Sequence, residues 1–430
     1  MILDAVGVGA GPSNLSLAAL AEKVPELSLA LLERCPDVRW HGGILLPGTR
    51  LQVSLFKDLV SLVDPTSPHS FVAFLHAHGR LLQFVHCGFD RVLRSEFDQY
   101  LRWISHRLGC VAFGQTVREI TYDGTFLIRS DHRQWRARNV VLGTGRGPWI
   151  PPCCRAIKDA TVVHSERFTS ISDACASKRV CVVGGGQSGA EVVYDLLSRT
   201  AKRPKEVIWV SRRQNFQPLD ETCFTDELFT PSFSNYFFDL PLGHRERLIK
   251  ELKLASDGIS SRLIRDIYQQ IYRTRFLDDE PVDIDLIPNF ELCGVNRDDV
   301  GWRLRLAGPE VSPPRTVQAD IVILATGYHY ELPEFLNPVL ERITLEKDAF
   351  VLNTDYSIVW KVPTNGKIYA LNAALLQRGI ADPNLSLLAW RSAITVNSLA
   401  GRAVYRLACE DRLIEWCGPP ALTEEHRRTA

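Results

Sequence analysis

Several features that would place the chain in other protein classes are missing from its 430 residues. Lysine plus arginine and aspartate plus glutamate both number 50, so no excess of charge favours nucleic acid or an anionic membrane. No apolar run approaches the roughly 18 residues of a membrane span. The apolar N-terminal stretch contains Asp4 and lacks the basic segment of a signal peptide. We therefore expect a protein that binds neither nucleic acid nor membrane.

The cysteines also lack a recognisable arrangement. There are 11, no two are spaced as Cys-x-x-Cys, and the adjacent Cys153 and Cys154 are poorly placed for a disulfide or a metal site. Scattered thiols of this kind favour a reducing cytoplasm over a disulfide framework. The sequence thus predicts a cytoplasmic protein of two or three domains, with no metal centre.

What the chain does contain is two glycine-rich turns, each directly after a short β-branched run. Such turns let the backbone approach a pyrophosphate, and the helix that follows supplies unpaired N–H donors. One motif alone is weak evidence, but two after strand patterns indicate two dinucleotide sites. The residues assigned to them are Gly7, Gly9, Gly11 and Pro12 in the first turn, and Gly184, Gly186, Gln187, Ser188 and Gly189 in the second.

The residue at the end of the next strand distinguishes the two sites. Glu33 lies about 20 residues beyond the first motif, where an acid favours a free ribose 2′-hydroxyl. Arg212, followed by Arg213, has the equivalent place after the second motif, where arginine favours a 2′-phosphate. The first site should therefore take FAD and the second NADPH. The alternatives are an ordinary exposed strand end at Glu33 and a solvated surface pair of arginines.

Strand and helix patterns alternate along the chain, which predicts an α/β fold. We expect two Rossmann-like dinucleotide-binding domains, for FAD and NADPH, with a smaller, mainly helical substrate-binding region. Two further strand patterns end in Thr-Gly, and we assign Thr326 and Gly327 of the second to cofactor binding. The predicted boundaries are 1–155 and 320–430 for the FAD domain, 156–213 and 282–319 for the NADPH domain, and 214–281 for the helical region.

More specific segments are spread over nearly the whole chain. In this order they resemble the siderophore-associated N-hydroxylating flavin monooxygenases, which act on lysine, ornithine or aliphatic diamines. The likeness is greatest to the lysine and diamine subgroup, and Gln-x-x-x-x-Lys-Asp-Leu at 52–59 is its most specific part. The segments are 40–43, 51–60, 64–71, 183–191, 226–231, 256–259, 325–328 and 382–391.

The resemblance implies a reaction cycle. NADPH reduces FAD, the reduced flavin captures molecular oxygen as a C4a-hydroperoxyflavin, and a neutral terminal primary amine is N-hydroxylated. The product would enter hydroxamate siderophore biosynthesis. The flavin carries this chemistry, so the protein has to orient and protect it. Relatives are often homo-oligomers, so a tetramer or dimer is expected.

The resemblance also implies roles for single residues. The predicted catalytic residues are Gln52 near the flavin, Lys57 in contact with substrate, and Ser386 between isoalloxazine and substrate pocket. Trp40 and His41 would line the flavin site, and Ser188 and Arg212 would contact NADPH. The predicted substrate-binding residues are Lys57, Asp226 and Asp257.

Two acids favour a particular substrate. Ornithine enzymes usually have asparagine where Asp226 stands and again near Asp257, and a carboxylate is better suited to a second ammonium group. We therefore expect a diamine such as putrescine or cadaverine, or L-lysine. Lys57 opposes the diamine because a fixed cation repels a cationic substrate. L-ornithine, another amine, or a general flavin monooxygenase or NADPH oxidase is the alternative.

Other interpretations of the same residues remain open. Lys57 could be a surface lysine paired with Asp58, Gln52 could satisfy local backbone groups, and Asp226 could be a helix N-cap. The Phe-x-Gly-x-x-x-His signature of Baeyer–Villiger enzymes is absent before His164. A non-catalytic nucleotide-binding protein would carry the same glycine turns.

Overall fold

A computed structural model describes residues 2–310, 312–407 and 413–416. Met1 of the predicted first domain, and residues 408–412 and 417–430 of the predicted 320–430 segment, lie outside the described residues. Among the described residues, no helix is both long and apolar enough to cross a membrane.

The N-terminal third of the chain contains the first βαβ unit and three further helices. Its elements are β1 (Ile2–Val8), α1 (Pro12–Ala21), β2 (Leu29–Leu32), α2 (Phe71–Ala77), α3 (Leu81–Cys87), α4 (Arg94–Arg107), β3 (Val111–Ala112), β4 (Val117–Tyr122), β5 (Phe126–Ser130), β6 (Gln134–Leu142) and β7 (Gly147–Pro148).

The middle of the chain contains a second unit, interrupted by a run of helices. Its elements are β8 (Val162–His164), α5 (Phe168–Ile171), β9 (Arg179–Val183), α6 (Gln187–Ser198), β10 (Glu206–Ser211), α7 (Cys223–Asp226), α8 (Pro231–Asp239), α9 (Leu242–Glu251), α10 (Lys253–Asp257), α11 (Ser261–Phe276), β11 (Asp283–Pro288), β12 (Glu291–Asp298), β13 (Gly301–Ala307), β14 (Arg315–Ala319) and β15 (Ile321–Leu324).

The C-terminal segment returns to the first unit. Its elements are β16 (Tyr328–His329), α12 (Asn337–Leu340), β17 (Leu345–Glu346), β18 (Ala349–Phe350), β19 (Ile368–Ala370), α13 (Leu375–Arg378) and α14 (Leu388–Ala400).

The first sheet has the strand order β3-β2-β1-β6-β5-β4. Strands β1, β2 and the end of β6 run parallel, and β19 joins the free side of β6 in parallel as well. The beginning of β6 instead pairs antiparallel with β5, which forms a small meander. Helices α1 and α14 pack together against this sheet, with Leu15 and Ala393 fully buried. The predicted α/β architecture is confirmed.

The second sheet is parallel throughout, in the order β11-β10-β9-β15-β8. Strand β15 lies inside this sheet, between β9 and β8, and all four of its residues are buried. The predicted boundary at residue 320 is therefore wrong, because β15 belongs to the second sheet and the chain returns to the first unit only after it. A three-stranded antiparallel sheet, β12-β13-β14, packs beside the second sheet.

Two chain crossings connect the units and run side by side. Strands β7 and β16 pair antiparallel, with Tyr328 opposite Pro148 and His329 opposite Gly147. The backbone N–H of Trp149 donates to the carbonyl of Gly327 at 2.9 Å. The Thr-Gly ends of β6 and β15 thus meet at the junction of the two units.

The second glycine turn depends on a missing side chain. Gly184 has φ +140°, and a Cβ there would lie 2.0 Å from the carbonyl oxygen of Ala325. Gly184→Ala should therefore lower the free energy of unfolding by about 3 kcal/mol, from backbone strain and overpacking. The control is Gly243→Ala, on the exposed face of α9 with nothing within 4 Å of the added atom, which should raise it by about 0.5–1 kcal/mol. Equal denaturant midpoints for both variants would contradict this assignment.

Candidate functional site

The carboxyl ends of the parallel strands in both sheets open into one cleft of about 1430 Å³. Both glycine turns line it, as predicted for ligands at the strand ends of open α/β sheets. The predicted cofactor residues in its wall are Gly9, Gly11, Pro12, Glu33, Trp40, His41, Gly184, Gly186, Gln187, Ser188, Arg212, Arg213, Thr326 and Gly327.

Each glycine turn leads into a helix whose N-terminus faces this cleft. Gly11 caps α1 and Gly186 caps α6, and neither helix has a side-chain cap. The first backbone N–H groups of both helices are therefore available to an anion, and the helix dipole adds positive potential there. This arrangement fits the phosphates of two dinucleotides.

Gly7 and Gly189, predicted with the other glycines, are not part of the cleft wall. A Cβ at Gly7 would lie 2.5 Å from the Leu31 side chain, and one at Gly189 would lie 2.1 Å from the Gly184 carbonyl. These two glycines allow close packing behind the turns, which is a structural contribution.

Glu33 is held against the first turn. Its Oε2 accepts a hydrogen bond from the backbone N–H of Ala10 at 2.8 Å, and its Oε1 accepts one from Cys35 at 2.9 Å. The carboxylate is thus part of the nucleotide-binding loop and faces the cleft, which an ordinary exposed strand end would not do.

The two arginines after β10 differ. The Arg212 side chain is 61% exposed, and its nearest acid, Glu291, lies 3.9 Å away and is equally exposed. Arg213 is half-buried, its Nη1 donates to the carbonyl of Gly185 at 3.4 Å, and desolvation lowers its pKa. Arg212 is therefore the arginine free to meet an incoming phosphate, whereas Arg213 supports the glycine turn.

Trp40 and His41 form the wall between the two turns. Their rings are 4.7 Å apart in an edge-on arrangement, and His41 has a left-handed backbone with φ 53°. Desolvation, together with the nearby Arg94 guanidinium, lowers the pKa of His41 to about 4, so its imidazole is neutral at pH 7. Burial likewise lowers the pKa of His164 to about 4. Neither histidine carries a proton for acid catalysis at neutral pH.

A second, small pocket of about 30 Å³ brings together four predicted residues that are far apart in sequence. Ser256 and Asn384 line both this pocket and the large cleft, so the two spaces share a wall. The four predicted residues in it are Gln52, Lys57, Asp226 and Ser386.

Lys57 and Asp226 pair with each other across the pocket. Lys57 Nζ lies 3.3 Å from Asp226 Oδ1, and the side chains are 20% and 64% exposed. Pairing of Lys57 with Asp58 is excluded, because buried Asp58 accepts the backbone N–H groups of Val60, Ser61 and Phe71.

The side chain of Asp226 caps no helix: Asp226 precedes the 3-10 turn Glu227–Phe229 but makes no side-chain capping hydrogen bond to it. It is the last residue of α7, and that helix is capped by Thr222, whose side chain accepts from the backbone N–H of Thr225. Its carboxylate is thus committed to Lys57 and to the pocket.

Gln52 reaches across the domain junction. Its Nε2 lies 3.3 Å from both the Gln187 side-chain oxygen and the Gly258 carbonyl. It therefore connects the small pocket with the first turn of α6 and does not satisfy local backbone groups.

Ser386 is buried, and its hydroxyl donates to Asn384 Oδ1 at 2.8 Å. The loop that carries it is anchored by the fully buried pair of Asp382 and Arg391, at 2.8 Å. These contacts hold Ser386 in place in the pocket wall.

Asp257 lies apart from the other predicted substrate residues. It lines the large cleft near Gly186 and is not part of the small pocket. Its Oδ2 is 3.8 Å from Lys253 Nζ, one helical turn away. This position does not support the predicted role of Asp257 in substrate binding, because it places the carboxylate beside the second glycine turn.

Sequence reasoning missed some residues of the site. Arg146 lines the cleft directly after the Thr-Gly end of β6, and desolvation lowers its pKa. Asp220 and Glu221 line the small pocket, where, with Asp226, three carboxylates outnumber the two cations Lys57 and Arg91. None of the missed residues belongs to a motif, so the sequence gave no signal for them, and only the fold shows that they line the cleft or the pocket.

Known proteins resemble the chain over almost its full length. The L-lysine N6-monooxygenase of Escherichia coli is 37% identical over 418 residues, which cover 96% of this chain and 98% of that protein. Among solved structures, the FAD-bound cadaverine monooxygenase of the desferrioxamine pathway from Erwinia amylovora superposes with a TM-score of 0.90 at 32% identity, and covers 99% of this chain and 100% of that one.

A second solved structure contains both nucleotides. The ornithine N-hydroxylase from Kutzneria sp. 744, with reduced FAD, NADP+ and L-ornithine, has a TM-score of 0.86 at 28% identity, and covers 93% of this chain and 99% of that one. Residues 1–330 match the family described as L-lysine 6-monooxygenase/L-ornithine 5-monooxygenase. The chain belongs to this family of flavin N-monooxygenases.

Proposed function

We propose that the chain is an FAD- and NADPH-dependent enzyme that N-hydroxylates the terminal primary amine of L-lysine or of an aliphatic diamine, for hydroxamate siderophore biosynthesis. The observation that carries this proposal is the shared wall between the large cleft and the pocket of Lys57 and Asp226. In this proposal the small pocket binds the amine, directly beside a cleft whose two uncapped helix ends bind the phosphates.

FAD fits the first turn and NADPH the second. Uncapped α1 would receive the FAD pyrophosphate, and Glu33 would accept from the ribose hydroxyls. Uncapped α6 would receive the NADPH pyrophosphate, with exposed Arg212 at the 2′-phosphate. The two nucleotides would then approach each other between Trp40, Gln52 and the Thr-Gly end of β15.

When bound and reduced, the flavin supplies the activated oxygen atom. The residues of the chain position the partners and exclude water. Gln52 presents a side-chain amide at the domain junction, and buried Ser386 holds the wall between cleft and pocket. Neutral His41 adds no charge beside the reacting groups.

The Lys57–Asp226 pair favours L-lysine as substrate. An ammonium and a carboxylate 3.3 Å apart complement the α-carboxylate and α-ammonium of an amino acid. The terminal amine would extend from this pair toward Gln52 and the cleft. The excess of carboxylates in the pocket suits a substrate of net positive charge.

A diamine is the second candidate, because Asp226 can accept its distal ammonium. In that case Lys57 stays beside a cation, at an electrostatic cost that the acids of the pocket must offset. Cadaverine is the first diamine to test, because the similar enzyme from Erwinia amylovora is a cadaverine monooxygenase.

The pocket has to open before either substrate enters. Its volume of about 30 Å³ holds about one water molecule and no amine of this size. Asp226 is exposed and sits at the end of a short helix, so parting the Lys57–Asp226 pair opens the pocket with little repacking.

We also propose a cytoplasmic homo-oligomer, a tetramer or dimer. In support of the compartment, each of the nine cysteines in the described part of the chain is a free thiol. The association state follows from the resemblance, and equilibrium sedimentation of the purified chain measures it.

A substrate panel tests the proposed function. Purified enzyme with added FAD and NADPH is given L-lysine, cadaverine, putrescine and L-ornithine, and hydroxylamine is measured beside NADPH oxidised. Hydroxylamine from L-lysine or a diamine is expected. NADPH oxidation that yields only hydrogen peroxide from all four amines would refute the substrate class.

The nucleotide preference depends on Arg212. Arg212→Ala should raise KM for NADPH by about tenfold, the worth of one charge-assisted hydrogen bond, and leave KM for NADH nearly unchanged. Arg303→Ala, another exposed arginine, on β13 of the three-stranded antiparallel sheet, serves as the control and should change neither. Equal losses for NADPH and NADH would remove Arg212 from the 2′-phosphate.

The substrate preference depends on Asp226. Asp226→Asn should lower kcat/KM for cadaverine by about tenfold, and lower that for L-lysine less, since the amino acid keeps its carboxylate contact with Lys57. Glu227→Gln, one residue further and not part of the pocket, should leave both unchanged. If Asp226→Asn leaves the ratio of kcat/KM for cadaverine to kcat/KM for L-lysine unchanged, the Asp226 carboxylate does not bind substrate.

A further inference from the structure

A buried ion pair joins the two nucleotide-binding units. Arg94 is the first residue of α4 in the first unit, and Glu191 lies on α6 in the second. Arg94 Nη1 donates to Glu191 Oε2 at 2.6 Å, and the side chains are 10% and 2% exposed. Both charges are withdrawn from water, so each depends on the other.

The pair continues into a chain of hydrogen bonds. Gln187 Nε2 donates to Glu191 Oε1 at 3.0 Å, one helical turn away on α6. Gln187 Oε1 then accepts from Gln52 Nε2 at 3.3 Å and from the backbone N–H of Ser260 at 2.9 Å. Arg94 is thus connected to Gln52 through the first turn of α6.

The other side of Arg94 also reaches the cleft. Its guanidinium carbon lies 5.8 Å from the centre of the Trp40 ring, and its charge helps to lower the pKa of His41. Trp40, His41 and Gln52 all lie near the proposed flavin site, whereas Gln187 and Glu191 belong to the helix that would bind the NADPH pyrophosphate. The network therefore connects one proposed nucleotide site with the other.

We propose that Arg94 and Glu191 are positioning residues that keep the phosphate-binding end of α6 in register with Gln52, so that the oxygen activated in the cleft reaches the amine. This inference rests on the proposed function. With register kept, NADPH, H+, O2 and R–NH2 give NADP+, R–NHOH and water. With register lost, NADPH, H+ and O2 give NADP+ and hydrogen peroxide, and the amine is unchanged.

A buried charge without a partner lowers the stability of the folded protein. Removing one partner leaves the other charged and desolvated, whereas replacing both with apolar residues of similar volume is often tolerated. The double variant Arg94→Met with Glu191→Leu should therefore fold while lacking the network. Glu191→Gln is the second variant, because it keeps the shape of the side chain and removes only its charge.

The test measures hydroxylamine formed per NADPH oxidised, with the best amine of the panel. In both variants this ratio should fall by about tenfold, because a misplacement of about 1 Å is enough to lose productive geometry. NADPH oxidation and bound FAD should stay near wild type, and the dissociation constant of NADP+, measured by calorimetry, should rise. Arg94→Lys keeps the positive charge, so its ratio of hydroxylamine to NADPH should lie between that of the double variant and that of the wild type.

A matched control lies on the same helix. Asp195 on α6 and Arg199, its C-cap residue, form a 2.6 Å pair that stays within the second unit. Asp195→Asn should leave the product ratio and NADP+ binding unchanged, even where it lowers stability.

The outcomes separate this inference from the proposed function. If the wild-type enzyme makes no hydroxylamine from any amine, the proposed function fails. The positioning role is wrong if the wild type makes hydroxylamine and the folded double variant keeps both the wild-type ratio of hydroxylamine to NADPH and the wild-type affinity for NADP+. If the double variant does not fold, the same criterion applies to Glu191→Gln.

Discussion

The site depends on the close approach of each glycine turn to the strand that neighbours it in the sheet. At Gly9, with φ +90°, a side chain would meet the Gly143 carbonyl at 2.6 Å, and at Gly184 it would meet the Ala325 carbonyl at 2.0 Å. Because of this close contact, the N-terminus of each helix that follows a glycine turn lies beside a strand that finishes in Thr-Gly. Because both strand ends continue into the paired crossings β7 and β16, the two turns open into one cleft.

Electrostatics then differentiate the cleft from the pocket beside it. The cleft presents helix N-termini and Arg212, which suit anionic nucleotides, whereas carboxylates predominate in the pocket, which suits an amine. The Lys57–Asp226 pair closes the pocket at the surface and offers both charges that an amino acid carries at its α-carbon. In the proposed function, substrate choice depends on which member of this pair, Lys57 or Asp226, finds a partner on the substrate.

The fold and both nucleotide turns could be predicted from sequence because their signals are local. Strand runs, glycine spacing and the residue ending the next strand all lie within one βαβ unit, so Glu33 and Arg212 could be found. The pairings that shape the site are not local: Lys57 with Asp226, and Arg94 with Glu191, meet only in the folded chain. For Asp257, the resemblance to a substrate-binding residue did not indicate which cavity it lines, and the fold places it in the large cleft. The boundary at 320 was misplaced because an apolar strand carries no mark of the sheet it joins.

Joint action of cleft and pocket is measured most directly by turnover of L-lysine with NADPH under ¹⁸O2, followed by mass spectrometry of the product. If cleft and pocket act together, each hydroxylamine carries one ¹⁸O atom and hydroxylamine accounts for most of the NADPH oxidised. If L-lysine, and cadaverine in a parallel reaction, give no labelled hydroxylamine while all the consumed oxygen appears as labelled hydrogen peroxide, the cleft oxidises NADPH without delivering oxygen to the pocket, and the proposed function is wrong.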